Sequence, residues 1–586
     1  MKELKASEGH LYGYAGKILR INLTNSTTEI IPSSKYVPEY VGGYTVCNKI
    51  FWDEVKGPVS AFSSENKLIL MTGPTCATGL PFSGRCTITG VAPNSLPEQY
   101  SHSSIGGFFG GMLKWAGYDG FILEGKAPKP TYVLIKDDKI EFLDAAPLWG
   151  MLVHDTQEKI FELHGKDAHS LVIGPAGERL HRNASITTNN DSVSAKSGFG
   201  AVFGYKNLKA IAVVGTGDVA AAYPDQILAQ RMTAGNPKMV PNPMLPDRSY
   251  GSFGNGLYED PNNVLGKAFL ACGHGCNACC MATYFDTKNP FKEGEKVTQV
   301  GKCLDMFAGT YQYDCCASNF MFLHSKKQEK PGVYQWISPP ANPVEDDPDL
   351  EFLMQSYGGD KMDLWGPSLE LGTTINYLCN QYGLDKWDMI IWNLTWLSMA
   401  KKEGLLEDLD FGMEVDVNNI EFIKHYFHMV TYREGLGDLF AEGMARAIRK
   451  LGKKKYGDAI YHGRFNEKGE QLDLPVSMEV GWGHCVHWTG RGYQGCPKPW
   501  WMVYMLGMMV DSRDNQNAGH FHQWIDEYKK YMDDPAHSED MVKFAVKNEI
   551  IACLKDTLTA CEWKSPNVGR PTMERDMFVV ILFRLL

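Results

Sequence analysis

The chain has 586 residues, of which 44% are hydrophobic and 22% charged. This composition is ordinary for a globular protein, and the length predicts two to four domains. A net charge of -11 argues against nucleic acid as the main partner, because phosphate binding needs clustered Lys and Arg. The first ten residues lack the apolar run of a signal peptide, and the apolar stretch 577–586 is shorter than the roughly 20 residues that a bilayer requires. We therefore expect a cytoplasmic protein with no membrane span.

The first two hundred residues are predicted to be β-rich. Alternating apolar positions around polar turns predict two hairpins, at 17–31 and 132–143. Short apolar runs predict three further strands, at 67–71, 170–173 and 208–214. Glycine-dense segments between these strands predict three loops, at 84–90, 106–111 and 198–204. Such glycines allow the backbone to approach a ligand closely.

The rest of the chain is predicted to be mainly helical. Helical spacing occurs at 226–232, and a Pro/Gly/Asn-rich excursion follows at 236–263. The later helices are predicted at 367–382, 387–403, 414–431, 436–451 and 524–531. The predicted fold class is α+β, with a β-rich domain at 1–217 followed by two mainly α-helical domains at 218–390 and 391–586.

Four of the fifteen cysteines fall within nine residues, at Cys272, Cys276, Cys279 and Cys280. A cytoplasmic protein has little use for disulfides, and C-x2-C spacing lets two thiolates reach one metal centre. The alternatives are a zinc knuckle that includes His274 and a redox dithiol, although the strand-to-helix context of a thioredoxin-like dithiol is missing. This segment alone does not choose between zinc and an iron–sulfur cluster. An all-thiolate cluster also needs a fourth cysteine from farther along the chain.

Several segments, taken in order, resemble the aldehyde:ferredoxin oxidoreductase family. They are GKILRINL at 16–23, NKLILMTGP at 66–74, GGFFG with KWAGYD between 106 and 119, IGPAGE at 173–178 and GAVFGYKNLKAIAV at 200–213. The resemblance implies tungsten or molybdenum held by two pterins in the β-rich domain, beside one [4Fe-4S] cluster. Glycine-rich turns such as Gly106-Gly107 suit this cofactor, because flat pterins with phosphates need close backbone N–H donors.

The resemblance also implies individual cofactor contacts. Arg85 matches a family arginine placed at the pterin, and a Mg²⁺ ion would join the two phosphates through backbone carbonyls near Ser104 and Val193. The family carries two D-x-x-G-L motifs, one per pterin, whose leading carboxylate accepts hydrogen bonds from the pterin. The two corresponding segments are Asn380-Gln-Tyr-Gly383-Leu384-Asp385, where Asn replaces the leading Asp, and Asp556-Thr-Leu-Thr-Ala-Cys561, where the Gly-Leu pair is absent.

The same resemblance selects the cluster ligands. Cys276 and Cys279 supply the first pair, and Cys561 supplies the fourth ligand beside one pterin. The family pattern C-x2-C-x3-C places its third cysteine at Thr283, so the third ligand here is either Cys280, which the downstream order favours, or Cys272.

Two catalytic residues follow from the resemblance. His484 takes the position of an active-site histidine, and an imidazole that titrates near neutrality can exchange a proton with a substrate oxygen. His487 is its competitor. Asp305 takes the position of an active-site glutamate, with Glu479 as the alternative carboxylate.

We therefore predict an oxidoreductase that converts an aldehyde to a carboxylic acid and passes electrons through the cluster to ferredoxin or a ferredoxin-like subunit. A homodimer is a family expectation. One alternative is a low-potential aromatic acyl-CoA reductase subunit of the same family. An alternative of another class is a zinc-stapled binding protein without catalysis.

Overall fold

Two six-stranded sheets form the first part of the fold. The computed structural model describes residues 11–80, 83–189, 191–234, 241–242, 245–249, 265–270, 273–274, 281–302, 369–386, 388–402 and 404–452, with single residues and short runs between 539 and 560. The elements of the first sheet and its helices are β1 (Lys17–Asn22), β2 (Thr27–Pro32), α1 (Gly43–Glu54), β3 (Leu68–Thr72), β4 (Cys86–Ala92), β5 (Gln99–Ile105), α2 (Phe109–Trp115) and β6 (Gly120–Glu124). Its strand order is β2-β1-β6-β3-β4-β5, with β1 and β6 parallel.

The second sheet follows directly in the chain. Its elements are β7 (Thr131–Lys136), β8 (Lys139–Asp144), α3 (Val153–His164), β9 (His169–Val172), α4 (Pro175–Glu178), β10 (Ile186–Thr188), β11 (Val193–Ser194), α5 (Phe199–Tyr205) and β12 (Leu208–Val214). Its strand order is β11-β10-β9-β12-β7-β8, with β12 and β7 parallel. Three short 3-10 turns lie at Ser33–Lys35, Ala146–Leu148 and Lys196–Gly198.

One hydrophobic core joins the two sheets. Leu70 and Phe121 of the first sheet, Ile135 and Ile211 of the second, and Phe203 of α5 are all fully buried within it. Helix α1 covers the outer face of the first sheet, and α3 covers the outer face of the second. Strand β5, an edge strand of the first sheet, also meets the 3-10 turn that follows β11 of the second, because the Ser101 and Ser197 hydroxyls lie 3.0 Å apart.

Most later elements are helical. They are α6 (Pro224–Ala234), β13 (Pro241–Asn242), β14 (Leu245–Ser249), β15 (Leu265–Leu270), β16 (Met281–Lys288), β17 (Lys296–Lys302), α7 (Leu369–Tyr382), a π-helix (Asp388–Leu394), α8 (Thr395–Lys402), α9 (Ile420–Tyr432), α10 (Gly437–Ala441) and α11 (Met444–Leu451). This arrangement confirms the predicted α+β class. The three-stranded sheet β15-β16-β17 was not predicted. The domain limits at 217 and 390 stay predictions.

Both predicted hairpins and all three predicted strands of the first domain are confirmed, but two of the glycine segments are not loops. Strand β4 occupies most of 84–90, and α5 occupies most of 198–204. Position 90 of β4 favours glycine, because a Cβ there would stand 2.6 Å from Leu68 Cδ2. Position 204 of α5 requires glycine, because a Cβ there would come within 3.0 Å of the Gly177 carbonyl oxygen. These glycines allow close packing between elements.

Three helix predictions need correction. The helix predicted from 414 begins at 420, because the Asn419 side chain accepts hydrogen bonds from Glu421 N and Phe422 N as an N-cap. The helix predicted at 436–451 is broken at Gly443, whose φ is 87°. The helix predicted at 387–403 contains the π-helix before α8.

Arginine side chains fasten the helical part to the first domain. Arg433 donates to the backbone carbonyls of Arg179 and Leu180, both at 2.7 Å. Arg182 donates hydrogen bonds to the carboxylates of Glu98 and Glu442, also at 2.7 Å each. In the described ranges, no helix has the length and apolar character to cross a membrane.

Candidate cofactor site

The predicted Arg85 and Ser104 lie together at one edge of the first sheet. Arg85 directly precedes β4, Ser104 is near the end of β5, and the two sequences run antiparallel. Arg85 Nη1 donates to Ser104 Oγ at 3.4 Å, and both side chains are buried. Gly106 and Gly107 follow β5, and the φ of +92° at Gly107 is a value that glycine adopts readily.

The described start of the cysteine-rich segment lies against this same edge. A Cβ on Gly273 would stand 2.8 Å from the Gly107 carbonyl oxygen and 3.7 Å from that of Gly84. The His274 ring packs on Trp115, with ring centroids 4.3 Å apart. The backbone that leads toward Cys276 is therefore next to Arg85.

The segment that contains Asp556 docks onto the first sheet through its backbone. The Gly73 N–H donates to Thr559 Oγ1 at 2.9 Å, and Thr75 Oγ1 donates to the Leu558 carbonyl at 2.8 Å. A Cβ on Gly73 would come within 3.0 Å of that Leu558 carbonyl oxygen, so only glycine fits this approach. Thr87 Oγ1 also donates to the Asp556 carbonyl at 3.3 Å.

The Asp556 carboxylate is itself engaged from the first domain. Its Oδ2 lies 2.9 Å from Nε2 of His102, a β5 residue two positions before Ser104. Both side chains are almost completely buried, with 6% and 1% of their surface exposed. His102 and Asp556 therefore form a buried pair across two distant parts of the chain.

The segment from Asn380 to Asp385 docks onto the second sheet in a comparable way. Leu384 forms an antiparallel bridge with Ala184, and the Ser185 N–H donates to the Gly383 carbonyl at 2.8 Å. A Cβ on Gly174 would come within 3.0 Å of the Tyr382 carbonyl oxygen. Each of the two predicted pterin motifs is thus fixed to its own sheet.

One buried lysine contacts the docking glycine Gly73, and another pairs with a glutamate of the helix that follows Gly174. Lys114 donates to the Gly73 carbonyl at 2.8 Å, and burial lowers the pKa of Lys114 although Asp119 opposes the shift. Lys209 pairs with Glu178 beside Gly174, and burial lowers the pKa of Lys209 against the opposing effect of Glu178.

Several buried polar atoms near the motifs lack a hydrogen-bond partner within the described parts of the chain. Asn380 Oδ1 is the first of these, and Asn380 is 2% exposed. The others on the neighbouring strands are Ser185 Oγ, Thr187 Oγ1 and Ser194 Oγ. An unmade hydrogen bond on a buried polar group costs about 1–3 kcal/mol, so such a set is what a polar ligand would satisfy. These residues fit a pterin with its N–H donors and phosphate.

Two sequence models of one family match the chain. The aldehyde ferredoxin oxidoreductase N-terminal domain matches residues 18–215, and domains 2 and 3 of the same family match residues 363–582. The chain belongs to the aldehyde ferredoxin oxidoreductase family. The resemblance found from the motifs is confirmed, and the chain is an oxidoreductase of this family.

Individual relatives support the family assignment. A tungsten-containing aldehyde ferredoxin oxidoreductase of Pyrococcus horikoshii is 29% identical over 463 residues, which cover 76% of this chain and 69% of the relative. Another protein of that name, from Pyrococcus furiosus, is 25% identical and covers 95% of this chain and 83% of its own length. The active-site complex BamBC of benzoyl coenzyme A reductase, solved with 1,5-dienoyl-CoA, is similar in structure with a TM-score of 0.64. That chain is 21% identical, with coverage of 94% of this chain and 82% of its own, and the likeness establishes the fold alone.

The structure places ten of the predicted site residues of this family member. Arg85, Ser104, Gly106, Gly107 and Asp556 belong to the first sheet and its docked segment. The second sheet and its docked segment contain the other five, which are Val193, Asn380, Gly383, Leu384 and Asp385. Their contacts with a cofactor and with Mg²⁺ stay predictions.

The remaining predicted site residues lie outside the described residues. They are the cluster ligands Cys276, Cys279, Cys280 and Cys561, the alternative ligand Cys272, and the catalytic candidates His484 and Asp305. Within the described ranges alone, no group of three or more His, Cys, Asp or Glu could hold a metal ion.

Sequence reasoning missed His102, Gly73 and Gly174. The two glycines share a signal that could have been found, since each stands in a Gly-Pro pair within two residues of the end of a strand. His102 has no such signal, because its partner is 454 residues away.

Proposed function

We propose that this chain oxidises an aldehyde to a carboxylic acid at a tungsten or molybdenum centre held by two pterins. A [4Fe-4S] cluster, when bound, would supply the route for the electrons to ferredoxin or a ferredoxin-like subunit. The observation that carries the proposal is Asn380 Oδ1, a buried acceptor at the head of a family motif for which the described residues provide no donor. Family membership and tungsten-containing relatives support the choice of cofactor.

The chain's own polar groups define how the pterins would be held. Asn380 and Asp556 each supply an acceptor for the N–H groups of one pterin. The Arg85 guanidinium, fixed by Ser104, supplies charged donors at the edge of the first sheet. The buried hydroxyls near β10 and β11 supply further hydrogen bonds for phosphate oxygens.

The reaction consumes water, and it yields two electrons and two protons for each aldehyde converted. When bound, the pterin-held metal supplies the two-electron chemistry at the carbonyl carbon. His484 donates or accepts a proton at the substrate oxygen, and Asp305 is the second proton acceptor in this proposal. Glu479 and His487 are their respective alternatives by position in the sequence.

The proposed cluster ligands are Cys276, Cys279, Cys280 and Cys561, with Cys272 as the alternative third ligand. The flanks of both cysteine segments support this assignment. Gly273 lies against Gly107 and Gly84, and Thr559, two residues before Cys561, bonds Gly73. Both flanks thus reach the same edge of the first sheet, where Arg85 lies. A cluster assembled there would be adjacent to a pterin, as electron transfer requires.

The test is an anaerobic assay of the purified chain with a panel of aldehydes and an oxidised viologen. We expect viologen reduction with at least one aldehyde, and loss of activity in Cys561→Ser with matched retention in Cys553→Ser. Cys553 is a half-buried cysteine of the same region. Failure with every aldehyde would overturn the proposal. Consumption of an aromatic thioester with reduced viologen would instead identify the acyl-CoA reductase branch, and a zinc-only protein would identify the binding-protein alternative.

A further inference from the structure

His102 is one of the most buried histidines of the first domain and bonds a carboxylate from the far end of the chain. Its Nε2 lies 2.9 Å from Asp556 Oδ2. The imidazole also packs on the Tyr44 ring, with centroids 4.3 Å apart. Tyr44 belongs to α1, so two elements of the first domain enclose the pair.

The backbone on both sides of this pair is fixed. On the Asp556 side, Thr87 donates to the Asp556 carbonyl, and a Cβ on Gly43 would come within 3.0 Å of the same oxygen. On the His102 side, its carbonyl accepts a hydrogen bond from Ser197 Oγ at 3.2 Å, and His102 is paired with Thr89 in the sheet. The imidazole and the carboxylate therefore meet in one defined geometry.

A buried carboxylate is costly unless donors surround it. Transfer of an ionised carboxylate out of water costs several kcal/mol even after relaxation, and hydrogen bonds must offset that cost. The His102 Nε2–H supplies one such donor. A carboxylate has about four acceptor positions, so Asp556 can bond His102 and still accept hydrogen bonds from a pterin.

We propose that His102 is a positioning residue for the pterin held by Asp556, a role that rests on the proposed function. His102 fixes the rotation of the Asp556 carboxylate through one oxygen, so that the carboxylate presents an acceptor to the cofactor in one orientation. A donor at the Nε2 position is the property that matters, because it reaches Oδ2. The bulk of the ring is secondary.

This role is distinguishable from that of a purely stabilising contact between distant parts of the chain. Such a contact affects folding and melting temperature, whether or not the cofactor is present. A positioning residue affects how firmly the cofactor stays bound and what environment its metal experiences. Replacement side chains that differ only in the reach of an N–H donor separate the two roles.

The experiment compares His102→Gln, His102→Asn and His102→Leu with the wild-type chain, all purified anaerobically. The amide nitrogen of Gln falls near the Nε2 position, whereas that of Asn falls short of it, and Leu has no donor. Tungsten or molybdenum and pterin per chain are measured after repeated gel filtration, together with the electron paramagnetic resonance spectrum of the metal. Melting temperatures are recorded for all four proteins.

We expect His102→Gln to retain metal and pterin within twofold of wild type, with the same spectrum. His102→Asn and His102→Leu should lose the cofactor at least tenfold faster, and their residual spectrum should change. If Leu prevents folding, the Gln and Asn pair still decides the question. Wild-type retention in the Asn variant overturns the proposal, and so does equal loss in Gln and Asn. A wild-type chain without tungsten, molybdenum and pterin would overturn the proposed function itself, and with it the role of His102.

Discussion

The two cofactor motifs are held on the two sheets by the same backbone arrangement. Leu558 and Tyr382 each stand two residues after the leading residue of their motif, and their carbonyls contact Gly73 and Gly174 respectively. Both glycines precede a proline at the end of a strand, and both have a buried lysine nearby. The next motif position has a positive φ in both cases.

The heads of the motifs differ in charge and in their partners. Asp556 is a carboxylate bonded to His102, whereas Asn380 is a neutral amide whose Oδ1 has no donor among the described residues. The fourth position differs in residue type, since it is Gly383 in one motif and Thr559 in the other, although both have a positive φ. The docking is therefore a property of the backbone and the two glycines, while the leading residues, each of which we propose as a pterin contact, differ in charge.

The largest effect is expected from a methyl group at either docking glycine. Gly73→Ala and Gly174→Ala should each destabilise the protein by about 3 kcal/mol, because the new Cβ would overlap a backbone oxygen that cannot move independently. Gly57→Ala is the matched control, since its Cβ would meet nothing within 4 Å. Denaturant unfolding midpoints measure the effect. A large effect at only one glycine would break the equivalence of the two docking sites.

Replacement of Asn380, the neutral leading residue of its motif, tests its assignment as a contact of the cofactor. Asn380→Leu removes an unpartnered buried acceptor, so we expect the cofactor-free protein to keep its stability and the bound pterin to fall about tenfold, equivalent to about 1.4 kcal/mol. Asn380→Asp restores a carboxylate and should retain pterin. Pterin content and the melting temperature of the cofactor-free protein are the measurements. Unchanged pterin in Asn380→Leu would contradict the assignment.

A smaller effect is expected at Thr559, the fourth position of the Asp556 motif. Thr559→Val keeps the shape of the side chain but removes the acceptor of the Gly73 N–H, so it should cost about 1 kcal/mol. Thr431→Val is the control, because Thr431 is fully buried and its Oγ1 makes no hydrogen bond to any described residue. Equal unfolding midpoints for the two variants would show that the Thr559 hydroxyl does not support the docking.

The smallest effect concerns a titratable pair beside the Asn380 motif. His154 donates through its backbone N–H to Gln381 Oε1 at 3.2 Å, and its Nε2 lies 2.7 Å from Asp191 Oδ1. Burial lowers the pKa of His154, but the charge and hydrogen bond of Asp191 outweigh it, so the pKa is raised above its usual 6.5. The stabilisation is therefore complete below about pH 6.5 and is lost as pH rises through the raised pKa.

Asp191→Asn isolates this contribution, because Asn tolerates the φ of +55° at this position. We expect the variant to be less stable than wild type by under about 1 kcal/mol at pH 6, since the His154 side chain is one-third exposed. The difference should shrink toward pH 9. A difference that grows with pH would have the wrong sign for this pair.

The sequence predicted the local elements better than the contacts that build the site. Alternating apolar residues predicted the hairpins at 17–31 and 132–143, because that pattern depends only on neighbouring residues. The glycine segment around Gly90 was assigned to a loop, since the sequence does not show that Leu68 packs against it. The pairing of His102 with Asp556 joins residues 454 apart and leaves no local pattern.

The repeated docking geometry was hidden for a related reason. The Asp556 motif has Thr559 where the other motif has Gly383, so the two segments look less alike than their backbones are. The resemblance to the family still located both motifs. It predicts that both segments contact the cofactor, which stays a prediction, whereas their distribution between two sheets became visible only from the backbone contacts.

The most direct test of the central claim is the metal and pterin content of the anaerobically purified chain. We propose that the two docked motifs hold a pterin-bound metal against the first domain, beside one cluster. We predict tungsten or molybdenum close to one per chain, two pterins and about four irons. Zinc alone, with no pterin released on denaturation, would contradict it.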